Sequence, residues 1–357
     1  MFPLSKHFIL FNVFRYITFR SVYAAVTAFG ISLIFGKWFI QKLNSARIGE
    51  KIRKDGPPTH ARKAGTPSMG GVIILLAFVV SVILWVQIKS PFLWLSIFSI
   101  LWFGILGFID DYWKMIGFGK SRGIPGIYKL MFQTLGAIII VSCYLQILPA
   151  DFAFKTAITL PFIKIPIFLN QLYPVFAVIV IVGSSNAVNL TDGLDGLAIG
   201  CVTFAAMAFA IITYVAGNEK FSQYLKFILI PGADELTVLC AALVGAGLGF
   251  LWFNAHPAQI FMGDTGALAL GGLLGTIAVM VKQEILLLIV GGIFVAEALS
   301  VILQVMSFKM SGKRIFKMAP LHHHFELSGV PESKLIVRFW IIALVLTLLT
   351  LSTLKLR

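Results

Sequence analysis

Three aspartates stand at the edges of apolar runs, where a carboxylate is costly unless a partner compensates its charge. Asp110 and Asp111 end one run, and Asp264 precedes another within FMGDTG. Two adjacent carboxylates at a helix C-terminus repel each other and face the negative end of the helix dipole. A divalent metal, Lys114 or a transferred proton could compensate them, and a solvated helix end is the alternative. Asp264 is either a helix cap or, beside other carboxylates, a candidate ligand for Mg²⁺.

A second acidic segment, NLTDGLDG at 189–196, places Asp192 and Asp195 three residues apart. On a helix this spacing puts both carboxylates on one face. The glycines beside them allow a ligand to approach the backbone. Asn186 and Asn189 add neutral hydrogen-bonding groups. Capping of the next helix explains one aspartate, so the second favours a binding site.

Two cationic segments are further candidates. His322, His323 and His324 form a triplet within PLHHHFE. Imidazoles can bind phosphate, transfer protons or ligate a metal, and an ordinary polar loop is the alternative. Lys63 and Ser68 precede a glycine pair in a basic segment that could attract a phosphate or a lipid headgroup. A basic loop that only orients the chain in a membrane is the alternative.

Three single residues have two interpretations each. Lys129 follows a basic loop and serves either phosphate binding or membrane orientation. Phe261 either stacks on a nucleobase or packs among helices. Glu297 lies inside an apolar run, where an acidic residue is either functional or structural, and we favour a structural role.

The apolar runs determine the fold that must position these residues. The 357-residue chain is 59% hydrophobic and 12% charged, and its runs approach the ~20 residues that span a bilayer as a helix. We predict an all-α, polytopic membrane helix bundle of about ten transmembrane helices, with a short hairpin at 149–171. Residues 1–357 would form a single integral membrane domain. The predicted spans are 22–41, 70–88, 93–110, 130–148, 172–188, 195–215, 236–253, 266–281, 285–306 and 337–354.

With ten spans, every polar motif falls in a loop on the same side of the membrane. These loops carry more Lys and Arg than the opposite loops and tails, which predicts that they face the cytoplasm. The net charge of +14 is distributed over short loops. This pattern argues against a nucleic acid partner and suits membrane lipid and phosphate groups. We therefore expect one site at the cytoplasmic ends of the helices.

Five segments together resemble a known enzyme superfamily. TPSMGG, DDYWK at 110–114, NAVNLTDGLDGLA, FMGDTG and PLHHHFE are similar to signatures of the polyprenyl-phosphate N-acetylhexosamine-1-phosphate transferases. The match extends from about residue 57 to residue 335. PLHHHFE and its loop point to the phospho-N-acetylmuramoyl-pentapeptide transferase family. Ser68 departs from the threonine usual in that family, although the hydroxyl is retained.

The resemblance implies a reaction, a cofactor and a location. The family transfers the phospho-N-acetylmuramoyl-pentapeptide group from its UDP-linked precursor to undecaprenyl phosphate, giving lipid I and UMP. Mg²⁺ is its cofactor. The resemblance further suggests a homodimer in the bacterial cytoplasmic (inner) membrane, with the active site facing the cytoplasm.

The resemblance also assigns roles to residues. Asp110, Asp111 and Asp264 would be catalytic, and Asp264 and Asp111 would ligate the metal. The substrate-binding candidates are Lys63, Ser68, Asn186, Asn189, Asp192, Asp195, Asn254, Phe261, His323 and His324. Lys114, Lys129 and His322 are additional candidates.

Two questions remain open at this level. Direct attack by the lipid phosphate, with Asp110 or Asp111 accepting a proton, competes with a two-step path through a covalent aspartyl intermediate. The competing functions are a related enzyme that uses a UDP-N-acetylhexosamine without the peptide, and a transporter. Acidic residues crowded at one membrane face favour an enzyme, because transporters place charges near the midplane.

Overall fold

The chain folds into a bundle of helices, seen here in a computed structural model that describes residues 9–45, 65–116, 123–163 and 165–355. Their apolar composition and length favour helices, which satisfy every backbone hydrogen bond inside a bilayer. The helices are α1 (Ile17–Ser45), α2 (Gly71–Trp85), α3 (Pro91–Ile116), α4 (Gly126–Ile147), α5 (Tyr173–Thr191), α6 (Leu197–Gly217), α7 (Glu219–Leu225), α8 (Glu235–Asn254), α9 (Gly263–Met280), α10 (Glu284–Val290), α11 (Gly292–Ser311), α12 (Leu321–Glu326) and α13 (Glu332–Ser352). Short 3₁₀ helices cover Ile9–Arg15, Asn170–Leu172 and Thr353–Lys355.

The predicted all-α membrane bundle is confirmed. Nine helices in the described ranges are long and apolar enough to cross a membrane, and α2 is a shorter apolar helix. One predicted span differs: 285–306 is divided into α10 and α11, with Gly291 between them. Two consecutive glycines, Gly291 and Gly292, occupy the junction. Glycine is a weak helix former, so the helix is interrupted there.

Small residues let the central helix α9 approach its neighbours closely. Its most apolar stretch is 89% buried. A Cβ atom on Gly107 of α3 would overlap the backbone of Asp264, and one on Gly71 of α2 would overlap the backbone of Gly266. Close backbone approach at small residues is typical of helix packing in membranes. This packing brings the start of α9 to the end of α3, so three aspartates distant in sequence become neighbours.

The opposite end of the bundle is held by different contacts. The buried Arg20 of α1 forms an ion pair with Glu235 of α8, with a shortest separation of 2.6 Å. The predicted hairpin is present as an antiparallel pair of two-residue strands, β1 (Ala157–Ile158) and β2 (Ile167–Phe168). The buried Lys282 donates from Nζ to the Lys155 carbonyl oxygen at 2.7 Å. The polar motifs of the sequence therefore gather at one end, while unrelated contacts close the other.

Candidate active site

Two lysines join two of the aspartates at the end of α3. Lys114 Nζ lies 2.7 Å from Asp110 Oδ2 and 3.0 Å from Asp264 Oδ2. Lys129 Nζ, on the first turn of α4, lies 2.9 and 2.8 Å from the same two oxygens. The backbone N–H of Ile124 donates to Asp110 Oδ1 at 2.6 Å. The Asp110 carboxylate is fully buried, and both of its oxygens accept from these groups.

Asp111 points in another direction and binds the start of α9. Its Oδ2 accepts the backbone N–H of Thr265 at 2.9 Å and the Thr265 hydroxyl at 2.7 Å. Its Oδ1 accepts the backbone N–H of Asp264 at 3.1 Å. Carboxylates favour helix N-termini because they satisfy the first N–H groups of the helix. Asp111 thus orients the turn that carries Asp264.

The arrangement fits a hard divalent cation. One oxygen from each of Asp110, Asp111 and Asp264 lies within 4.8 Å of the others. These donors are carboxylate oxygens, which Mg²⁺ prefers. The ammonium groups of Lys114 and Lys129 already occupy the space between Asp110 and Asp264, which shows that this position attracts positive charge.

Local sequence explains how the cluster forms. Asp110 and Lys114 are four residues apart on α3, the spacing that pairs side chains on one helix face. Gly263 has a φ of +74°, in the left-handed region that glycine adopts readily. A Cβ atom there would lie 2.6 Å from Asp111 Oδ2 and 3.0 Å from Ser68 Oγ. A side chain at position 263 would therefore separate Asp111 from α9.

Backbone hydrogen bonds place the TPSMGG segment beside FMGDTG. The Phe261 N–H donates to the Pro67 carbonyl oxygen, and the Gly70 N–H donates to the Phe261 carbonyl oxygen, both at 2.8 Å. The Gly71 N–H donates to the Met262 carbonyl oxygen at 2.9 Å. The Phe261 side chain is partly buried. Ser68 thus lies at the acid cluster, whereas Lys63 falls outside the described residues.

A second group of titratable side chains surrounds Asp195. The His256 Nδ1 atom lies 3.1 Å from Asp195 Oδ2 and 3.9 Å from Glu332 Oε2. Asp195 Oδ2 also accepts the Ala258 N–H at 3.1 Å. His256 and Glu332 were not among the predicted site residues. His256 lies in the polar segment NAHPAQ, directly before FMGDTG, and this position could have indicated it, whereas nothing near Glu332 marked that residue.

Asn254 connects this group to the segment that leads to the acid cluster. Its Oδ1 accepts the Gly196 N–H at 3.0 Å, and its Nδ2 donates to the Ile260 carbonyl oxygen at 2.8 Å. The 254–265 segment therefore has one end at Asp195 and the other at Asp111.

The α5 residues of the second motif have different surroundings. Asn186 Nδ2 donates to Gln133 Oε1 at 2.7 Å, which ties α5 to α4. Asn189 and Asp192 are partly buried at the end of α5. Roles for these three residues in substrate binding stay predictions.

The three histidines also differ from one another. His322 is buried, with its Nδ1 atom 3.2 Å from Glu297 Oε2. His323 Nδ1 lies 3.3 Å from Glu326 Oε2. His324 Nδ1 accepts the Lys317 N–H at 3.2 Å. The triplet lies on a short helix, α12, and the three rings face different protein groups.

Membrane-spanning helices with carboxylates and lysines collected at one end define a polytopic integral membrane protein with a charged site at the helix ends. Residues 93–282 match the family model of glycosyl transferase family 4. Residues 63–75 match the model of phospho-N-acetylmuramoyl-pentapeptide-transferase signature 1. The chain belongs to the phospho-N-acetylmuramoyl-pentapeptide-transferase family.

Full-length relatives carry that family name. The proteins from Citrifermentans bemidjiense and from a Geobacter species are each 53% identical, and the alignments cover 100% of this chain and 99% of each relative. A relative from Desulfatibacillum aliphaticivorans is 52% identical over 99% of this chain and 98% of its own length.

Proposed function

We propose that this chain transfers the phospho-N-acetylmuramoyl-pentapeptide group from its UDP-linked precursor to undecaprenyl phosphate, giving lipid I and UMP. The observation that supports this most directly is the joining of Asp110, Asp264, Lys114 and Lys129 at one end of a membrane bundle. The identity of the substrates is inferred from membership of the family. This reaction is the first membrane step of peptidoglycan synthesis.

The lysines supply charge for the transfer. Displacement at a diphosphate requires in-line positioning and neutralisation of charge on phosphate oxygens. Lys114 and Lys129 can turn one donor hydrogen each from a carboxylate to a phosphate oxygen, because an ammonium group has three donors. Mg²⁺ held by Asp264 and Asp111, with Asp110 close by, would polarise the diphosphate and stabilise the departing UMP.

We assign the proton-accepting role to Asp110. An oxygen of undecaprenyl phosphate attacks the phosphorus that bears the sugar, while the bond from that phosphorus to the UMP oxygen breaks. Any proton on the attacking phosphate passes to Asp110 Oδ2. Asp111 is less suited to this role, because two of its three donors are backbone N–H groups fixed at the start of α9. The two donors at Asp110 Oδ2 are lysine side chains, which can turn towards a phosphate oxygen. Asp110 is held beside Asp264 by the lysines that the two residues share.

The position of the site suits both substrates. A site at the helix ends can receive a lipid phosphate from the bilayer and a nucleotide from water. Basic loops on this side predict that it faces the cytoplasm. We therefore place the protein in the bacterial cytoplasmic membrane with its active site inside the cell, as a homodimer by analogy with its family.

The test is release of UMP by the purified protein. The assay contains the UDP-linked pentapeptide precursor, undecaprenyl phosphate and Mg²⁺, and each component is omitted in turn. We expect UMP only when all three are present, together with a new lipid-linked product. A parallel reaction contains UDP-N-acetylglucosamine as the donor. Turnover with that donor, or UMP release without the lipid phosphate, would contradict the proposal.

A further inference from the structure

Polar side chains form a stripe along α11, a helix that otherwise faces outward. Only 22% of its most apolar stretch is buried. Glu297, Gln304 and Ser307 recur at spacings of seven and three residues, so they share one face. Each of the three bonds to the chain between residues 313 and 322. Ser307 Oγ, for example, donates to the Lys313 carbonyl oxygen at 2.9 Å.

Gln304 holds the middle of that segment with three hydrogen bonds. Its Oε1 accepts the backbone N–H groups of Ile315 and Phe316, each at 3.0 Å. Its Nε2 donates to the Phe316 carbonyl oxygen, also at 3.0 Å. A side-chain amide that pairs with backbone in this way substitutes for a strand neighbour and fixes the path of the segment.

Glu297 holds the end of the segment at His322. Its Oε2 lies 3.2 Å from His322 Nδ1 and accepts the His322 backbone N–H at 3.4 Å. Glu297 is fully buried and His322 is 1% exposed. A buried carboxylate is costly unless it is paired. Neither ring nitrogen of His322 completes a hydrogen bond within the described residues, so Glu297 holds the residue by the close approach to Nδ1 and through its backbone N–H.

The other edge of the same ring packs against Gly193 of the NLTDGLDG segment. A Cβ atom on Gly193 would overlap His322 Nε2 and would lie 2.9 Å from Cε1. The φ angle of Gly193 is not in the left-handed region, so alanine would fit the backbone there. Glycine is required at this position because the His322 ring leaves no space for a side chain. The ring cannot retreat from a larger residue without leaving Glu297.

We propose that Glu297 and Gln304 are positioning residues for the transfer reaction. They seat the His322 ring against Gly193 and so set the distance between the 320–326 and 189–196 segments. Both segments carry residues predicted to bind substrate, and we assign them to the UDP-linked donor. The inference rests on the proposed function, and neither residue needs to touch the substrate.

Steady-state kinetics test the positioning role. Glu297→Ala and Gln304→Ala should each raise the KM for the UDP-linked precursor roughly tenfold while changing kcat and the KM for undecaprenyl phosphate less than about twofold. Glu297→Gln retains an oxygen that can accept the backbone N–H of His322, so this variant should raise the donor KM less than Glu297→Ala does. Ser300→Ala is the control, because the Ser300 hydroxyl donates to the Glu297 carbonyl oxygen within α11. Equal changes in both KM values, or none, would overturn the proposal.

A double-mutant cycle on thermal unfolding tests the contact without substrate. Gly193→Ala should lower the Tm of the wild-type protein, and the same change in a His322→Ala background should cost much less. Gly183→Ala is the matched control, because a Cβ atom on Gly183 of α5 has no neighbour within 4 Å. Additive effects would overturn the docking of His322 on Gly193. A wild-type protein without turnover would count against the proposed function alone, and the Tm coupling would still decide the docking.

Discussion

Thr265 donates both its backbone N–H and its hydroxyl to the same carboxylate oxygen of Asp111, over 2.9 and 2.7 Å. This double contact joins the end of α3 to the start of α9. It also separates the roles of two adjacent aspartates, since Asp110 faces the lysines and Asp111 faces the helix. The contact can be altered at Thr265 without touching a carboxylate.

Thr265→Val should lower kcat roughly tenfold, because an unmade buried hydrogen bond costs about 1–3 kcal/mol and the Asp264 turn loses an anchor. Thr265→Ser restores the hydroxyl and should recover most of the activity. UMP release measures both variants. A valine variant as active as the serine variant would remove Thr265 from the account.

Gly107→Ala should abolish most activity, because the new Cβ atom would overlap the Asp264 carbonyl group, which is backbone and cannot rotate away. Gly104→Ala, one turn earlier on α3, meets the end of the Leu75 side chain, which can move. We expect the second variant to keep activity within about threefold of wild type, since overpacking at a flexible side chain is tolerated better. Similar losses in both variants would show that helix spacing does not control the site.

Lys129→Met should lower kcat by roughly 100-fold, the scale of losing one preorganised charge at a phosphoryl-transfer site. The same change removes a cation that competes for Asp110 and Asp264. Half-maximal activity should therefore require less Mg²⁺ than in the wild type. Lys129→Arg retains the charge and should leave the Mg²⁺ requirement close to that of wild type. A titration in which Lys129→Met needs more Mg²⁺ would contradict this role.

Asp264→Ala should be inactive at every Mg²⁺ concentration, because no other carboxylate of the described cluster contacts both lysines and also begins α9. Asp264→Asn retains the size of the side chain and tests whether charge is required. Retained turnover of Asp264→Ala at high Mg²⁺ would remove Asp264 from the set of metal ligands, whereas turnover of Asp264→Asn would show that an oxygen ligand suffices without its charge.

Direct transfer predicts that no phosphosugar becomes attached to the protein when undecaprenyl phosphate is withheld. Intact-protein mass spectrometry after incubation with the UDP-linked precursor and Mg²⁺ measures this. Asp110 Oδ2 and Asp264 Oδ2 are both paired with ammonium groups, which weakens these oxygens as nucleophiles. An adduct that disappears on addition of the lipid would establish the two-step path instead.

The spans and the segments of the site were accessible from sequence because both depend on local pattern. Apolar run length predicted the helices, and clustered carboxylates at run ends predicted where charge gathers. Gly291 was not predicted to divide a span, because a single glycine pair leaves the average hydropathy unchanged. The helix α12 was not predicted, because six residues are too few to show a helical pattern of apolar and polar side chains.

Side-chain pairing across the bundle was not accessible. Lys129 and Asp264 are 135 residues apart, and Asp195 and His256 are 61 apart. Nothing in either segment specifies the other, because helix packing alone determines which ends meet. Glu297 shows the same limit. Its place in an apolar run predicted a structural role, but the sequence did not indicate that it lies beside His322 of the PLHHHFE motif.

The net charge of the acid cluster affects the order in which ligands bind. The cluster contains the charged groups of Asp110, Asp111, Asp264, Lys114 and Lys129. Three carboxylates and two ammonium groups leave one negative charge in excess, which repels a diphosphate. A divalent cation reverses that sign. Binding should therefore be ordered, with the cation binding before the nucleotide precursor. Binding of the donor would then depend on the concentration of free magnesium in the cell.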